Sequence, residues 1–452
     1  MSARGRVIAG VVLRRLIATV WHTRFGLRRG QRRRRAVALQ LRLACEELGP
    51  TFIKLGQLAS VRPDVFAPET VFELERLRDR VPPVPLDAVR AILTAEFGAS
   101  PDMVFASFEP QPVATASIAQ VHAARLAKAY RTVAGATLPA GSRVAVKVVR
   151  PGIEATIQAD LVVAQRWARR LERIPRIARL RPVALLEEFR GALASEVDLR
   201  NEGRIADRFA RDFADDPLIV VPRVVWRHTT RRVLTTEFAD GWTLDKLDDA
   251  HRSGIDAKRL ATHGAEVFMR QVLMHGRYHA DLHPANLMVT TDGRICYLDF
   301  GITGRTTPAQ RIAIAQVLAA TVYGDATRAL YYSRLLGLEV TEQQAPAVHD
   351  TVAALMREHL GRGERPDIRG FALGFLGMLA DFRISIPAGY GLLIKALVTV
   401  EGVAQAIYPD IDIVDSARPF ATRLIAAQLA RPERLQARVP AAMRAALVEL
   451  LA

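Results

Sequence analysis

Apolar residues recur at helical spacing along most of this chain and alternate with polar ones in a few short runs. Val7, Ile8, Val11, Val12, Leu16, Ile17, Val20 and Trp21 interleave with arginines at roughly helical spacing, which predicts an amphipathic first helix. Residues 36–60 keep the helical period except at Gly49-Pro50, and 69–80 predicts a charged helix stopped by V-P-P-V-P at 81–85. Asp87 is placed to cap a helix over 88–97. Strand-like runs follow at 105–110, 120–126 and 143–149, and the connection 127–142 reads as a hairpin with a long loop. Helices are predicted over 153–174 and 183–212, and strands over 218–226 and 231–238. From 254 onward the pattern is helical, apart from a hairpin within 287–301 that turns on Asp292-Gly293. The order is a small sheet-bearing region and then a mostly helical one, an α+β arrangement.

Composition narrows this further. A chain of 452 residues suits two or three lobes or domains, and 50% hydrophobic with 24% charged residues excludes a disordered chain. Two cysteines, Cys45 and Cys296, make no disulfide framework and fit inert packing in a reducing compartment. The longest run without Asp, Glu, Lys or Arg, 110–124, is rich in polar residues. No segment is therefore expected to span a bilayer, which takes about 20 apolar residues. The apolar patch at 7–13 is interrupted by Arg14 and Arg15 and lacks a small-residue cleavage site, so a secretory signal is not expected.

Charge is unevenly spread. Residues 1–45 hold twelve arginines and no Asp or Glu, so most of the net charge of +16 belongs to one arm. Anionic membrane lipids are the partner this arm fits best, because an interfacial helix explains the arginines and the interleaved apolar residues together. Nucleic acid is the less favoured partner, and a merely solvated arm is the plainest alternative.

The strongest chemical signal is Y-H-A-D-L-H-P-A-N at 278–286. Asn286 comes five residues after Asp281, and Asp299 of a D-F-G triplet thirteen after Asn286. Phosphoryl transfer needs a carboxylate near the attacking oxygen, a role for Asp281, and oxygen ligands for magnesium, a role for Asn286 and Asp299. His275, His279 and His283 recur every fourth residue and could suit zinc, but Pro284 ends any helix there. The plainer role of His279 and His283 is to brace the loop. In the first half, Lys147 ends V-A-V-K on a β-branched strand and suits the α- and β-phosphates of ATP. Its acidic partner could be Glu196, Asp198 or Glu202 on the helix over 187–206. The preceding loop, where glycines normally cover phosphates, reads Ala114, Thr115, Ala116, Ser117, Ile118, Ala119, Gln120. In a protein-kinase-like fold Glu237 in T-T-E-F would stand at the hinge, where its backbone would meet adenine.

Together these motifs resemble the UbiB/AarF family of atypical protein-kinase-like proteins over roughly 46–405. The K-x-G-Q motif of that family is matched by Lys54, Gly56 and Gln57, its E-x-D motif by Glu196 and Asp198, and its alanine-rich loop by 114–120. The resemblance places the lysine-holding glutamate on Glu202 and implies ATP (or ADP) with Mg2+ as cofactors. It implies a bilobal protein-kinase-like fold: an arm at 1–45, a helical extension at 46–104 covering the active site, a small β-containing N-lobe at 105–236, a helical C-lobe at 237–410 and amphipathic helices at 411–452. Lys54 would be held by Glu196 and Asp198, filling the space of a protein substrate. A loop of alanines loses the backbone freedom of glycine, so a stiffer lid is expected to alter nucleotide preference and slow transfer to other proteins. No A-P-E-like segment follows D-F-G, consistent with such a restriction. Ala285 replaces the usual glycine, Gly203 and Ile205 stand where Ala and Asn are more frequent, and 127–142 is longer than its counterpart. Many bacterial members carry C-terminal membrane helices; the stretches at 417–452 read instead as amphipathic. The resemblance therefore implies a cytoplasmic protein peripherally bound at the inner face of the membrane, supporting quinone or isoprenoid lipid synthesis with lipids or enzymes of that pathway as partners.

Overall fold

The structure, a computed structural model, describes residues 3–24, 31–60, 62, 65–77, 82–178, 180–244, 255–361, 366–384 and 386–412. The expected amphipathic helices at 417–452 lie outside these residues, as do Arg28 and Arg29 of the arm. The described residues fall into two compact units. One comprises those within Met1–Asp256, Ala280–Thr303 and Tyr390–Lys395, and the other those within Ala257–His279, Gly304–Gly389 and Ala396–Ala452.

The first unit begins with helices α1 (Ala3–Arg24), α2 (Gln31–Leu48), α3 (Pro50–Ser60) and α4 (Pro68–Leu74), followed by α5 (Leu86–Phe97) and α6 (Pro101–Val104). The Gly49-Pro50 break is where expected: Gly49 has φ +94, a conformation that costs glycine little, and Pro50 opens α3. Asp87 does not cap α5. The helix starts one residue earlier, with Pro85 at the cap position and Asp87 inside the first turn, where its charge still suits the helix N-terminus.

Strands β1 (Phe105–Thr115), β2 (Ala119–Leu126), β5 (Arg143–Val149) and β7 (Val233–Glu237) form an antiparallel sheet in the order β1-β2-β5-β7. The long connection between β2 and β5 carries the two-residue strands β3 (Tyr130–Arg131) and β4 (Thr137–Leu138). Alternation decides which face of β5 does what. Val144, Val146 and Val148 are buried in a core with Phe105, Leu126, Val89 and Leu93, which turns Lys147 to the opposite face. The helical run expected over 183–212 is two helices. After α7 (Ile153–Leu171) and α8 (Pro175–Ala178) come α9 (Pro182–Glu196) and α10 (Leu199–Asp212). The break arises because Asp198 leaves the helical conformation and caps α10, accepting from Arg200 N at 3.2 Å. Of the strand expected over 218–226, Val224 keeps only a lone bridge to Thr236, and the part that forms a strand is β6 (Ile219–Val220). It joins β8 (Gly241–Thr243), β10 (Leu287–Thr290) and β11 (Ile295–Tyr297) in a second sheet, ordered β6-β11-β10-β8.

The second unit holds α11 (Ala257–Arg270), a π-helical turn at Gln271–His275, β9 (Arg277–His279) and helices α12 (Pro308–Val322), α13 (Ala326–Leu335), α14 (Ala345–Leu360) and α15 (Ile368–Asp381). The last described helix is α16 (Ala388–Ile407). It corrects the expectation about membrane-length segments. Residues 389–407, with hydropathy 1.4, are long and apolar enough to cross a membrane by length and composition. Two charges, Lys395 and Glu401, interrupt the run, so counting only charge-free stretches missed it. Both are engaged within the protein: Lys395 Nζ donates to Ser60 Oγ at 3.4 Å, and buried Glu401 accepts from Ile368 N at 3.0 Å.

Candidate active site

Lys147 emerges from the middle of β5, paired between Val121 of β2 and Leu234 of β7, so its backbone is fixed on both sides. Its Nζ donates to both carboxylate oxygens of Glu202, each at 2.8 Å, and to Asp299 Oδ2 at 3.1 Å. Of the three acidic partners open in the sequence, Glu202 holds this lysine. It sits in the first turn of α10, buried with Leu199, Ala206 and Phe209. Burial pushes the Glu202 carboxyl up to about 7; the Lys147 charge opposes this, and the Asp299 and Glu196 charges add to it. Burial also disfavours the ammonium of Lys147, but Asp299 and Glu202 outweigh it and raise the lysine above its ordinary value. For Asp299, burial favours the neutral acid, yet Lys147, the Gly301 N–H and Lys54 together hold it well below the usual carboxylate range.

Asp299 is also the most open member of the trio, with 39% of its side chain exposed. Gly301 N donates to its Oδ1 at 2.7 Å. The next residue, Phe300, is buried against Phe209 at 5.1 Å between ring centroids, which ties the triplet to the helix that carries Glu202. The β10–β11 hairpin brings the second oxygen donor alongside. Leu287 faces Tyr297, and Leu298 N donates to Asn286 O at 3.0 Å, so Asn286 lies one residue out of register from Asp299. Asn286 Nδ2 donates to the carbonyl of Asp281 at 2.9 Å, folding the loop so that Asp281 and Asn286 share one end of the hairpin. His283 Nδ1 accepts from Ala285 N at 3.2 Å, the bracing role expected of it. Among the described residues no group of three or more His, Cys, Asp or Glu is placed to hold a metal ion.

The alanine-rich loop is a tight, covered turn. Ser117, Ile118, Ala119 and Gln120 are all buried. Ala116 N donates to Ala119 O at 2.8 Å, and Ala114 and Thr115 pair with Val121 and Gln120. Gln120 departs from its expected place against a nucleotide. Its Oε1 accepts from Val84 N at 2.8 Å and its Nε2 lies 2.8 Å from His122 Nε2, so the side chain fastens the proline-rich linker to the sheet. Arg150 was not among the expected residues. Its backbone N donates to Ile118 O at 2.8 Å and its Nε to Ala116 O at 2.9 Å, clamping the loop from the strand of Lys147. An arginine three residues past the key lysine was the available signal. Glu237 N donates to Arg223 O at 2.8 Å and its carboxylate pairs with Arg223, which leaves the carbonyl as the backbone group Glu237 can present to a ligand.

The K-x-G-Q helix is tied to the same cluster. Lys54 Nζ lies 2.5 Å from Glu196 Oε1, with only 11% and 13% of the two side chains exposed. Gln57 Nε2 reaches Leu77 O at 3.5 Å, and Gly56 lies where a side chain would overlap Leu77. Asp198, expected beside Glu196 on Lys54, is occupied by Arg200, whose guanidinium lies 2.9 and 2.6 Å from its two oxygens. Its short reach and its duty as helix cap explain the difference.

A strand lysine extended by a helix glutamate, with a second carboxylate held ionised beside it, is the arrangement protein kinases use to seat triphosphates. The site is of the protein-kinase type. Residues 76–333 match the ABC1 atypical kinase-like domain and residues 372–412 the UbiB helical domain. The chain belongs to the ABC1/UbiB family of atypical kinase-like enzymes. It is 35% identical over 393 residues to a probable protein kinase UbiB of Marinobacter nauticus, covering 84% of this chain and 69% of that one. A second probable protein kinase UbiB, from Cellvibrio japonicus, is 33% identical over 85% of this chain and 68% of its own length. An uncharacterized protein of Synechocystis, sll0005, is 33% identical over 87% of this chain, which spans only 56% of that relative. The solved complex of Rv3197 with erythromycin, from Mycobacterium tuberculosis, aligns over 80% of this chain and 90% of its own, with a TM-score of 0.53 and 21% identity. That likeness shows the shared fold.

Proposed function

We propose that this enzyme is a magnesium-dependent ATPase, or a kinase acting on a small molecule or lipid. The observation that carries the reading is the Lys147–Glu202–Asp299 cluster with Lys54 and Glu196 beside it. The donor set suits magnesium: a carboxylate kept ionised and partly exposed, and an amide oxygen from Asn286 one residue out of register. Asp299 and Asn286 would hold the ion, and its chemistry there would be to neutralise phosphate charge. Lys147 contacts the α- and β-phosphates while Glu202 keeps it extended. Asp281 orients the attacking water or hydroxyl. The alanine-rich turn, clamped by Arg150, covers the phosphates as a stiff lid, and the Glu237 carbonyl meets the adenine. Lys54, Gly56 and Gln57 form the inhibitory cover, so a bulky protein substrate is disfavoured. We place this activity at the cytoplasmic face of a membrane, in support of quinone or isoprenoid lipid synthesis.

Release of phosphate from ATP with magnesium, lost in Asp299→Asn, is the expected result. ATP stabilisation without turnover in wild type would leave a nucleotide-binding scaffold. A second reading, protein kinase in trans, is favoured by the names of two relatives. Labelling of lysate proteins from labelled ATP would support it.

A further inference from the structure

The arginines on α1 belong to a helix that is fastened to the body along one side. Arg4 Nε donates to Asp160 Oδ1 at 2.5 Å, and its Nη2 to Asp160 Oδ2 at 3.0 Å and Leu48 O at 2.7 Å. Asp160, on α7, is fully buried, so this ion pair is an internal rivet. One and two turns on, Ile8 and Val11 are buried with Ala44, Leu48 and Val163. Arg14 and Arg15 then pair with Glu47.

At about 100° per residue, Arg4, Ile8, Val11 and Arg15 share one side of the helix, while Leu13, Leu16, Ile17, Val20 and Trp21 centre on the opposite side. Those five are 51–63% exposed. Neighbouring α2 adds exposed Val37 and Leu41, and Arg6 and Arg33 to Arg35 are exposed as well. A row of large apolar side chains in water among arginines, with no acidic residue in 1–45, is complementary to one kind of surface. Headgroups of negative charge meet the arginines, and the acyl boundary takes the leucines, isoleucine and tryptophan. A duplex nucleic acid would satisfy the arginines and leave the apolar row in water.

We propose that the outward side of α1, with the exposed arginines beside it, docks the protein on an anionic lipid bilayer. This rests on the membrane location in the reading above and is independent of its chemistry. The test uses the full chain, with vesicles of phosphatidylglycerol and phosphatidylcholine against vesicles of phosphatidylcholine alone. Co-sedimentation with the anionic vesicles is expected, falling at least tenfold in Leu16→Glu/Ile17→Glu, whose thermal melting should match wild type because both positions are exposed. As a second readout, anionic vesicles should blue-shift the Trp emission of wild type and not that of Trp21→Phe. Asp299→Asn should sediment like wild type, which separates failure of the catalytic reading from failure of this one. Equal sedimentation of wild type and the double variant would overturn the proposal. So would tighter binding to duplex DNA than to vesicles, or a solution dimer that the double variant dissolves, which would make this face a contact between copies.

Discussion

Glu196 closes one helix and Glu202 lies in the first turn of the next, and each holds its own lysine: Lys54 at 2.5 Å and Lys147 at 2.8 Å. On an unbroken helix, residues six apart point about 120° away from one another. The break at Asp198 removes that constraint, and the two carboxylates come close enough for the charge of Glu196 to raise the pKa of Glu202. Lys54 in turn helps keep Asp299 ionised. Once Glu202 ionises, above about 7, three carboxylates face two ammonium groups and leave one negative charge, a balance that favours an added cation.

Removing Lys54 tests whether it restrains the site. Lys54→Met leaves Glu196 without its half-buried partner, so stability should fall by about 3 kcal/mol in denaturant unfolding. If the helix is an inhibitory cover, phosphate release at saturating ATP should rise several-fold in the same variant. A fall in both quantities would assign Lys54 to the chemistry itself.

The raised carboxyl of Glu202 sets a pH dependence with two opposite signs. Between its ordinary value of 4.5 and about 7, the folded protein binds a proton that the unfolded chain does not. Its contribution to stability is therefore complete below 4.5 and is lost as pH rises through about 7. The pair with Lys147 needs the ionised form, so turnover should instead rise with pH through about 7. Glu202→Gln should flatten both profiles in that window, while lowering turnover at every pH. An unchanged midpoint in the variant would assign the titration to another group.

Asp299 behaves differently, because Lys147, the Gly301 N–H and Lys54 overcome its burial and keep it ionised at any working pH. Asp299→Asn should cost about 100-fold or more in phosphate release. It should also abolish the rise in melting temperature that ATP with magnesium gives the wild type. Asn286→Ala should weaken the magnesium dependence while leaving ATP alone able to bind.

The loop at 278–286, the D-F-G triplet and the V-A-V-K strand were legible because they are short contiguous strings, and the hairpin between two of them is marked by Asp292-Gly293. The break between α9 and α10 was not legible. The run S-E-V-D-L keeps the helical period, and only the side chain of Asp198 turning back to Arg200 N ends one helix and starts the next. Gln120 and Asp198 were misplaced for the same reason: each reads as a binding group, yet its partners, the Val84 backbone and Arg200, are set by tertiary packing. The docking of α1 was half visible. The sequence shows the amphipathic pattern, but the side facing the protein depends on a buried aspartate more than 150 residues away.

Gly56 poses a question of sign. It lies inside α3, where replacing glycine by alanine ordinarily gains about 1 kcal/mol of helix propensity. A Cβ there, however, would overlap the Leu77 side chain and stand 3.4 Å from both Cys45 Sγ and Leu74 Cδ2. Leu77 and Leu74 are 5% and 1% exposed, so neither can swing into solvent without uncovering apolar surface. Overpacking of this kind costs about 1–3 kcal/mol and outweighs the propensity gain. Gly56→Ala should therefore destabilise the protein by about 1 kcal/mol in urea unfolding. In a Leu77→Ala background the overlap is gone, and the same substitution should be neutral or stabilising. If the two effects simply add, Gly56 serves something other than the close approach of α3 to Leu77.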